Sequence, residues 1–313
     1  MALGLGLASL PLLAARPARG NPFAGRDISR LQLASVHGVV TDLSTGSQLA
    51  SKHADYVVPV ASITKLMTAM VVLDAGQSLD EWMVILKRDR PAPANAYSRI
   101  RINSEAPRRE LIRMSLTASE NLAAHVLARH YPGGFDACID AMNAKAVSLG
   151  MSQARFVDPD GLSTDNVASA SDISRLVVAA HDYPDIRHLS TSAGYQVHFR
   201  QPRYQLGYGN TNALVHHSGW GVSLTKTGYL TDAGRCLVMV ANIQERPIAM
   251  VFLNAFGRRT PLGDAGRVRR WLESGQSGGV NGAARDYERR QSADLKARTP
   301  RPDLPGEAAT PDP

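Results

Sequence analysis

Ser62 and Lys65 stand three residues apart in the run Pro59-Val60-Ala61-Ser62-Ile63-Thr64-Lys65-Leu66-Met67, a spacing that could pair a nucleophile with a base. A serine hydroxyl is a weak nucleophile until a neighbouring group takes its proton, and a neutral amine one helical turn away can do so. Apolar residues at 66, 67, 70, 71 and 73 recur at helical spacing, and Pro59 followed by small residues marks the entry to a helix starting close to Ser62. Ser62 then lies in a first turn, at the positive end of the helix dipole, where free backbone N–H groups could hold an anion. The alternative is a structural capping serine followed by a surface lysine. The same pattern recurs at Ser223-Leu224-Thr225-Lys226, but in a strand-like run, where residues three apart point to opposite faces. Only the helical copy can form the pair.

Two further pieces could complete such a site. Thr117-Ala118-Ser119-Glu120-Asn121 is a polar break in an otherwise helical pattern from Arg108 to His130. It reads as an ordinary turn with a serine cap, or as a stiff loop from which Ser119 and Asn121 project toward Ser62. Lys226-Thr227-Gly228 lies on a strand, where the lysine either protects an exposed edge or binds a substrate anion.

The elements that must position these residues follow in order. Ala34 to Leu43 reads as a strand, turned at Ser44-Thr45-Gly46-Ser47 into a second at Gln48 to Ser51. After the Ser62 helix, Gly76 to Lys87 is a short helix or irregular piece, and Tyr97 to Asn103 alternates like a strand. Helices are expected at Arg108 to Leu116, onward to His130, at Phe135 to Leu149, at Asp172 to His181 and at Leu262 to Glu273. Residues 155–170 are turn-rich and form an ordered loop without a glutamate. Val222 to Tyr229, Arg235 to Ile243 and Ile248 to Phe256, joined by tight turns, form an antiparallel meander.

The chain has 313 residues and is 44% hydrophobic, enough for a full core. Its net charge of +7 is scattered without aromatic interleaving, which disfavours nucleic acid and suits a carboxylate-rich substrate. Two cysteines give neither a disulfide framework nor a metal spacing, though one bridge between Cys138 and Cys236 stays open. Nine histidines are spread out, and His216-His217 lacks a ligand spacing, so a metallopeptidase is disfavoured. The uncharged apolar run 2–15 reads as a signal-peptide core, giving a signal segment over 1–20 and an exported protein. The domain proper is expected over 28–275. Residues 276–313, rich in Gly, Pro, Ala and charge, are expected to be disordered and dispensable, with at most peripheral membrane association.

Ser-x-x-Lys at a helix start, Ser-x-Asn in a helix–helix turn and Lys-Thr-Gly on a strand occur in that order, the last two 57 and 164 residues after Ser62. Together they are the three elements of the penicillin-interacting serine enzymes. With His130-Tyr-Pro-Gly-Gly134, Ala141-Met-Asn-Ala-Lys145 and Ser148-Leu-Gly-Met151, the stretch from Leu31 to Glu273 resembles the serine D-alanyl-D-alanine peptidases, and more closely their endopeptidase branch, typified by penicillin-binding protein 7. The resemblance implies an α+β fold of β-lactamase/transpeptidase type: an antiparallel sheet flanked by terminal helices, plus an all-helical lobe. It implies no cofactor, peptidoglycan peptides as substrates, β-lactams as covalent inhibitors and a periplasmic location. It also implies roles: Ser62 as nucleophile, Lys65 as base, Ser119 as proton relay and Asn121 as a clamp on the substrate amide and Lys65. Lys226 and Thr227 would bind the substrate carboxylate, Gly228 would let the substrate strand lie close, and the backbone N–H groups of Ser62 and Tyr229 would form the oxyanion hole. Burial and the nearby Lys226 would both lower the Lys65 pKa. A D-Ala-D-Ala carboxypeptidase, a serine β-lactamase and a non-catalytic cell-wall or penicillin-binding module are the alternatives; the β-lactamase is opposed by the missing loop glutamate.

Overall fold

The computed structural model describes residues 22–89 and 97–298, so the expected signal segment lies outside the described residues. Strands β1 (His37–Asp42) and β2 (Ser47–Lys52) form the expected hairpin. A short β3 (Val58–Pro59) leads through a 3-10 turn, Ala61–Ile63, into helix α1 (Thr64–Asp74). Next come β4 (Trp82–Val84), β5 (Glu105–Pro107), α2 (Arg108–Thr117), α3 (Asn121–Arg129) and α4 (Gly134–Ser148). A loop then reaches β6 (Val167–Ala168), α5 (Ala170–His181), α6 (Pro184–Ser190) and the hairpin β7 (Gly194–Phe199) and β8 (Tyr204–Gly209). The meander β9 (Val222–Leu230), β10 (Gly234–Ile243) and β11 (Arg246–Ala255) is followed by α7 (Thr260–Ser274) and α8 (Gly282–Arg298).

The main sheet has the order β2-β1-β11-β10-β9, every neighbouring pair antiparallel. Alternation along β10 divides the core in two, because successive side chains leave opposite faces of a strand. Val238 and Val240 pack with Leu66, Met67 and Met70 of α1 and with α2, α3 and α5; this is the larger core, shared with the helical lobe. Leu237, Met239 and Ala241 face the other way, onto Val268, Trp271 and Leu272 of α7. The antiparallel sheet with flanking helices and a helical lobe is the architecture that the resemblance implied.

Helix α1 differs from the amphipathic helix that its pattern suggests: every residue from Thr64 to Val72 is buried. A helix sandwiched between sheet and lobe has no solvent face, so its polar residues, Thr64, Lys65 and Thr68, need partners inside the protein. Residues 97–104 are not a strand. Asn103 takes a left-handed φ of +66°, and the Arg101 N–H is held by the Tyr204 hydroxyl, so the alternation is not used for pairing. The strand in this region is β5, paired with β4 inside the 76–87 stretch.

The tail, expected to be disordered from residue 276, is a further correction, because α8 occupies Gly282–Arg298. Ser277 is buried and its hydroxyl accepts from the Gln32 N–H at 2.9 Å, while α8 packs beside the sheet. There Glu288 pairs with Lys52 at 2.8 Å and the Tyr287 hydroxyl donates to Asn254 at 2.6 Å. Residues 282–298 are mostly strong helix formers, and these polar anchors fix the helix without the apolar stripe that periodicity detects. Cys138 and Cys236 are free and buried, and burial pushes their thiols up to about 12 and about 11.

A buried carboxylate anchors the N-terminal segment at Ala34 and Ser35. Asp264 of α7 is fully buried and accepts from the N–H groups of Ala34 and Ser35, at 2.9 and 2.7 Å, from the Ser35 hydroxyl at 2.7 Å and from Arg267 at 2.9 Å. Asp264→Ala leaves those donors and a mostly buried guanidinium unpaired. Urea denaturation should show a loss of about 3–5 kcal/mol; a loss below about 1 kcal/mol would show that water replaces the carboxylate.

Candidate active site

The turn that carries Ser62 is assembled by close backbone packing. Ala61 adopts a left-handed φ of +48°, and the turn is closed by the Thr64 hydroxyl donating to the Ala61 carbonyl at 2.8 Å. Beneath it, Gly161 (φ +77°) comes so near that a Cβ there would lie 1.9 Å from the Ala61 carbonyl oxygen. On the other side, a Cβ on Gly228 would sit 3.2 Å from both the Ser62 nitrogen and the Val60 oxygen. Ser62 is thus clamped between the 155–166 loop and strand β9.

Lys65 donates to the Ser62 hydroxyl at 2.9 Å, to the Asn121 side-chain oxygen at 2.7 Å and to the Asp160 carbonyl at 2.5 Å. Three acceptors match its three protons. The side chain is fully buried, and loss of hydration lowers its pKa from the ordinary lysine value to about 8, against the pull of Asp160, Asp158 and Glu120. Lys226 is also buried; its amine donates to the Ser119 hydroxyl at 2.8 Å and to the Thr227 carbonyl at 2.7 Å. Burial first, then the charge on Lys65, holds Lys226 well below the lysine range. The lowering of the Lys65 pKa expected from Lys226 does not appear: burial alone lowers it, and the coupling shows at Lys226 instead.

The remaining expected residues converge here. Ser119 sits at φ +60°, a strained conformation that turns its hydroxyl to Lys226, and Asn121 opens α3. The Thr227 hydroxyl donates to Thr211 at 2.7 Å. Ser62, Ser119, Asn121, Thr227, Gly228 and Tyr229 all line one cleft of about 1400 Å³, which continues past Arg235 to Arg258 and Arg259. The second Ser-x-x-Lys separates as alternation requires: the Ser223 hydroxyl meets His181 at 3.0 Å, while Lys226 faces Ser119.

Several contributors escaped the sequence reading. Asp158 accepts from the N–H groups of Asp160, Gly161 and Ser163 and from the Asn166 amide, which winds the loop so that the Asp160 carbonyl meets Lys65. The fully buried Asp160 carboxylate lies 3.2 Å from His125, one turn beyond Asn121 on α3. Burial pushes that carboxyl up, but His125 and Lys65 outweigh it and keep it below the usual carboxylate range. The cluster of Asp and Gly in Asp158-Pro-Asp-Gly161 was the available signal, and it reads equally as an ordinary turn. Thr211, presented by its N–H bond to the Thr117 carbonyl at 3.0 Å, had no signal at all.

With Lys65 acting as the base for Ser62, as their contact allows, acylation by an activated ester should fall about tenfold per pH unit below pH 8 and level off above it. Asp160→Asn removes a charge that raises the Lys65 pKa, so the midpoint should move to lower pH. A midpoint unmoved in the variant would show that the Asp160 charge does not act on Lys65.

Known proteins resemble this chain in sequence and in fold. The family model described as D-alanyl-D-alanine carboxypeptidase, peptidase family S11, matches residues 25–257. The chain is 44% identical over 295 residues to the D-alanyl-D-alanine endopeptidase of Escherichia coli K12, covering 93% of this chain and 95% of the relative. Identity to the D-alanyl-D-alanine endopeptidase of Pseudomonas aeruginosa is 46% over 279 residues, 89% of this chain and 90% of the relative. Among solved structures, the Streptomyces K15 DD-transpeptidase superposes with a TM-score of 0.73 at 25% identity, over 78% of this chain and 98% of that one. Penicillin-binding protein D2 from Listeria monocytogenes, in its cefotaxime-bound form, gives a TM-score of 0.66 at 26% identity, over 77% and 98%. A family match spanning the sheet, the lobe and all three motifs, with relatives aligned almost end to end, means that this chain belongs to peptidase family S11, the serine DD-peptidases.

Proposed function

We propose that the chain is a D-alanyl-D-alanine endopeptidase that hydrolyses peptidoglycan peptide cross-links through a Ser62 acyl-enzyme. The observation that carries the chemistry is the 2.9 Å contact between the Ser62 hydroxyl and a fully buried Lys65 amine. Neutral Lys65 takes the proton of Ser62 as its oxygen attacks the D-Ala carbonyl carbon. The negative charge that develops there meets the N–H groups of Ser62 and Tyr229; a donor of this kind is worth about 2.7–4 kcal/mol in the transition state. Protonated Lys65 gives up that proton through Ser119, held by Lys226, which relays it to the departing amine as the C–N bond breaks. Neutral again, Lys65 takes a proton from the water that attacks the Ser62 ester and passes it to the Ser62 oxygen as the ester bond breaks.

The choice of a cross-link over a terminal D-Ala rests on two supports. The relatives named above as endopeptidases align along nearly the whole chain. The cleft also extends well beyond the space that one D-Ala needs, toward basic side chains suited to carboxylates.

A β-lactam would enter the same acylation path. Its adduct should be long-lived, because the 155–166 loop has no glutamate and two of its three aspartates are engaged, Asp158 by loop N–H groups and Asp160 by Leu162 and His125, while Asp165 is exposed. The apolar run at 2–15 supports export to the periplasm, where this substrate lies. Cell fractionation that finds the mature chain in the cytoplasm would overturn that placement.

Purified protein should cleave a cross-linked muropeptide dimer faster than it trims an uncross-linked pentapeptide. Efficient trimming with the dimer left intact would make it a carboxypeptidase. Intact-mass spectrometry with penicillin should give a one-to-one adduct, absent in Ser62→Ala and slowly released. Rapid multiple turnover of penicillin would instead support a β-lactamase.

A further inference from the structure

Thr227 and Tyr229 leave the same face of β9, two residues and about 7 Å apart along the strand. Directly across from Tyr229 in the β9–β10 register stands Arg235, whose guanidinium lies 3.6 Å from the centre of the Tyr229 ring. Tyr229 is half exposed at the cleft, and Arg235 lines the cleft beside it. No ion pair to Arg235 forms among the described residues, although most arginines of comparable burial here have a carboxylate partner, as Arg113, Arg129, Arg246 and Arg267 do. A stacked guanidinium is held flat at little entropic cost, with its donor edge open for a bidentate acceptor.

The site chemistry limits what that acceptor can be. Resting on the peptidoglycan reading above, Thr227 and Lys226 hold the carboxylate next to the scissile amide. Arg235 is one step further along the same face, so it would meet a second carboxylate of the same peptide. Arg258 and Arg259 also edge the cleft, but both are exposed and neither is stacked on a ring that adjoins the oxyanion position. From this geometry we infer that Arg235, steadied by Tyr229, is a specificity residue that binds a second carboxylate of the stem peptide. The enzyme would thereby distinguish stems with free carboxylates from stems in which those carboxylates are amidated.

The comparison is kcat/KM of the wild type and Arg235→Gln on a cross-linked muropeptide and on the same peptide with its stem carboxylates converted to amides. The wild type should prefer the free acid by about ten- to hundredfold, the range expected for one charge-assisted contact, with the difference falling on KM. Arg235→Gln should lose that preference, and Arg235→Lys, which keeps the charge without the fork, should recover part of it. Stoichiometric labelling by penicillin reports that each variant is folded. If the wild type leaves the cross-link intact, the endopeptidase reading fails, and the pentapeptide monomer, which bears the same stem carboxylates, carries the comparison instead. Equal use of both peptides by the wild type, or an undiminished preference in Arg235→Gln, overturns the assignment of Arg235.

Discussion

A lysine amine cannot be taken out of water without replacing what water gave it, and that requirement at Lys65 organises the molecule. Its three acceptors come from three places in the chain: the turn before α1, the start of α3 and the 155–166 loop. Each must be held to within a few tenths of an ångström, because an unsatisfied buried cation costs far more than a stretched surface contact. The rigid devices cluster accordingly. Ala61 and Ser119 sit at positive φ, Gly161 packs directly on the Ala61 carbonyl, and Asp158 gathers the loop around itself. Burial makes the amine neutral enough to be available, while Asp160, Asp158 and Glu120 keep it basic enough to accept a proton.

The family fold is shared by proteins named as carboxypeptidases, endopeptidases and a transpeptidase, so the fold does not distinguish those reactions. What can differ is how far the cleft runs and which charges edge it. In this chain it runs over the edge strand β9 toward the start of α7, across residues that play no part in activating Ser62.

Legibility in the sequence followed the range of the interactions. Helices with a half-buried stripe, such as α2, and strands that alternate, such as β9 and β10, write their period into the chain, and their bounds agree closely with expectation. The three motifs were readable because each pairs a residue type with a local conformation that suits it. Residues held by distant partners were not readable: Asp160 matters through its carbonyl and through His125, and nothing in Asp158-Pro-Asp-Gly161 announces either contact. The same holds for α8, whose polar anchors to Lys52 and Asn254 leave no apolar period to detect. Tyr97 to Asn103 erred the other way, alternating without pairing because Asn103 bends the backbone.

Strand β9 is the outermost strand of a five-stranded sheet, and an unpaired edge is where foreign strands join and aggregation begins. Here the turn that carries Ser62 packs against Gly228 and narrows the approach to that edge. Only an extended segment thin enough to slide between turn and strand can use its backbone groups. The turn therefore also acts as a guard, leaving at this edge a slot too narrow for the broad sheets of other protein molecules.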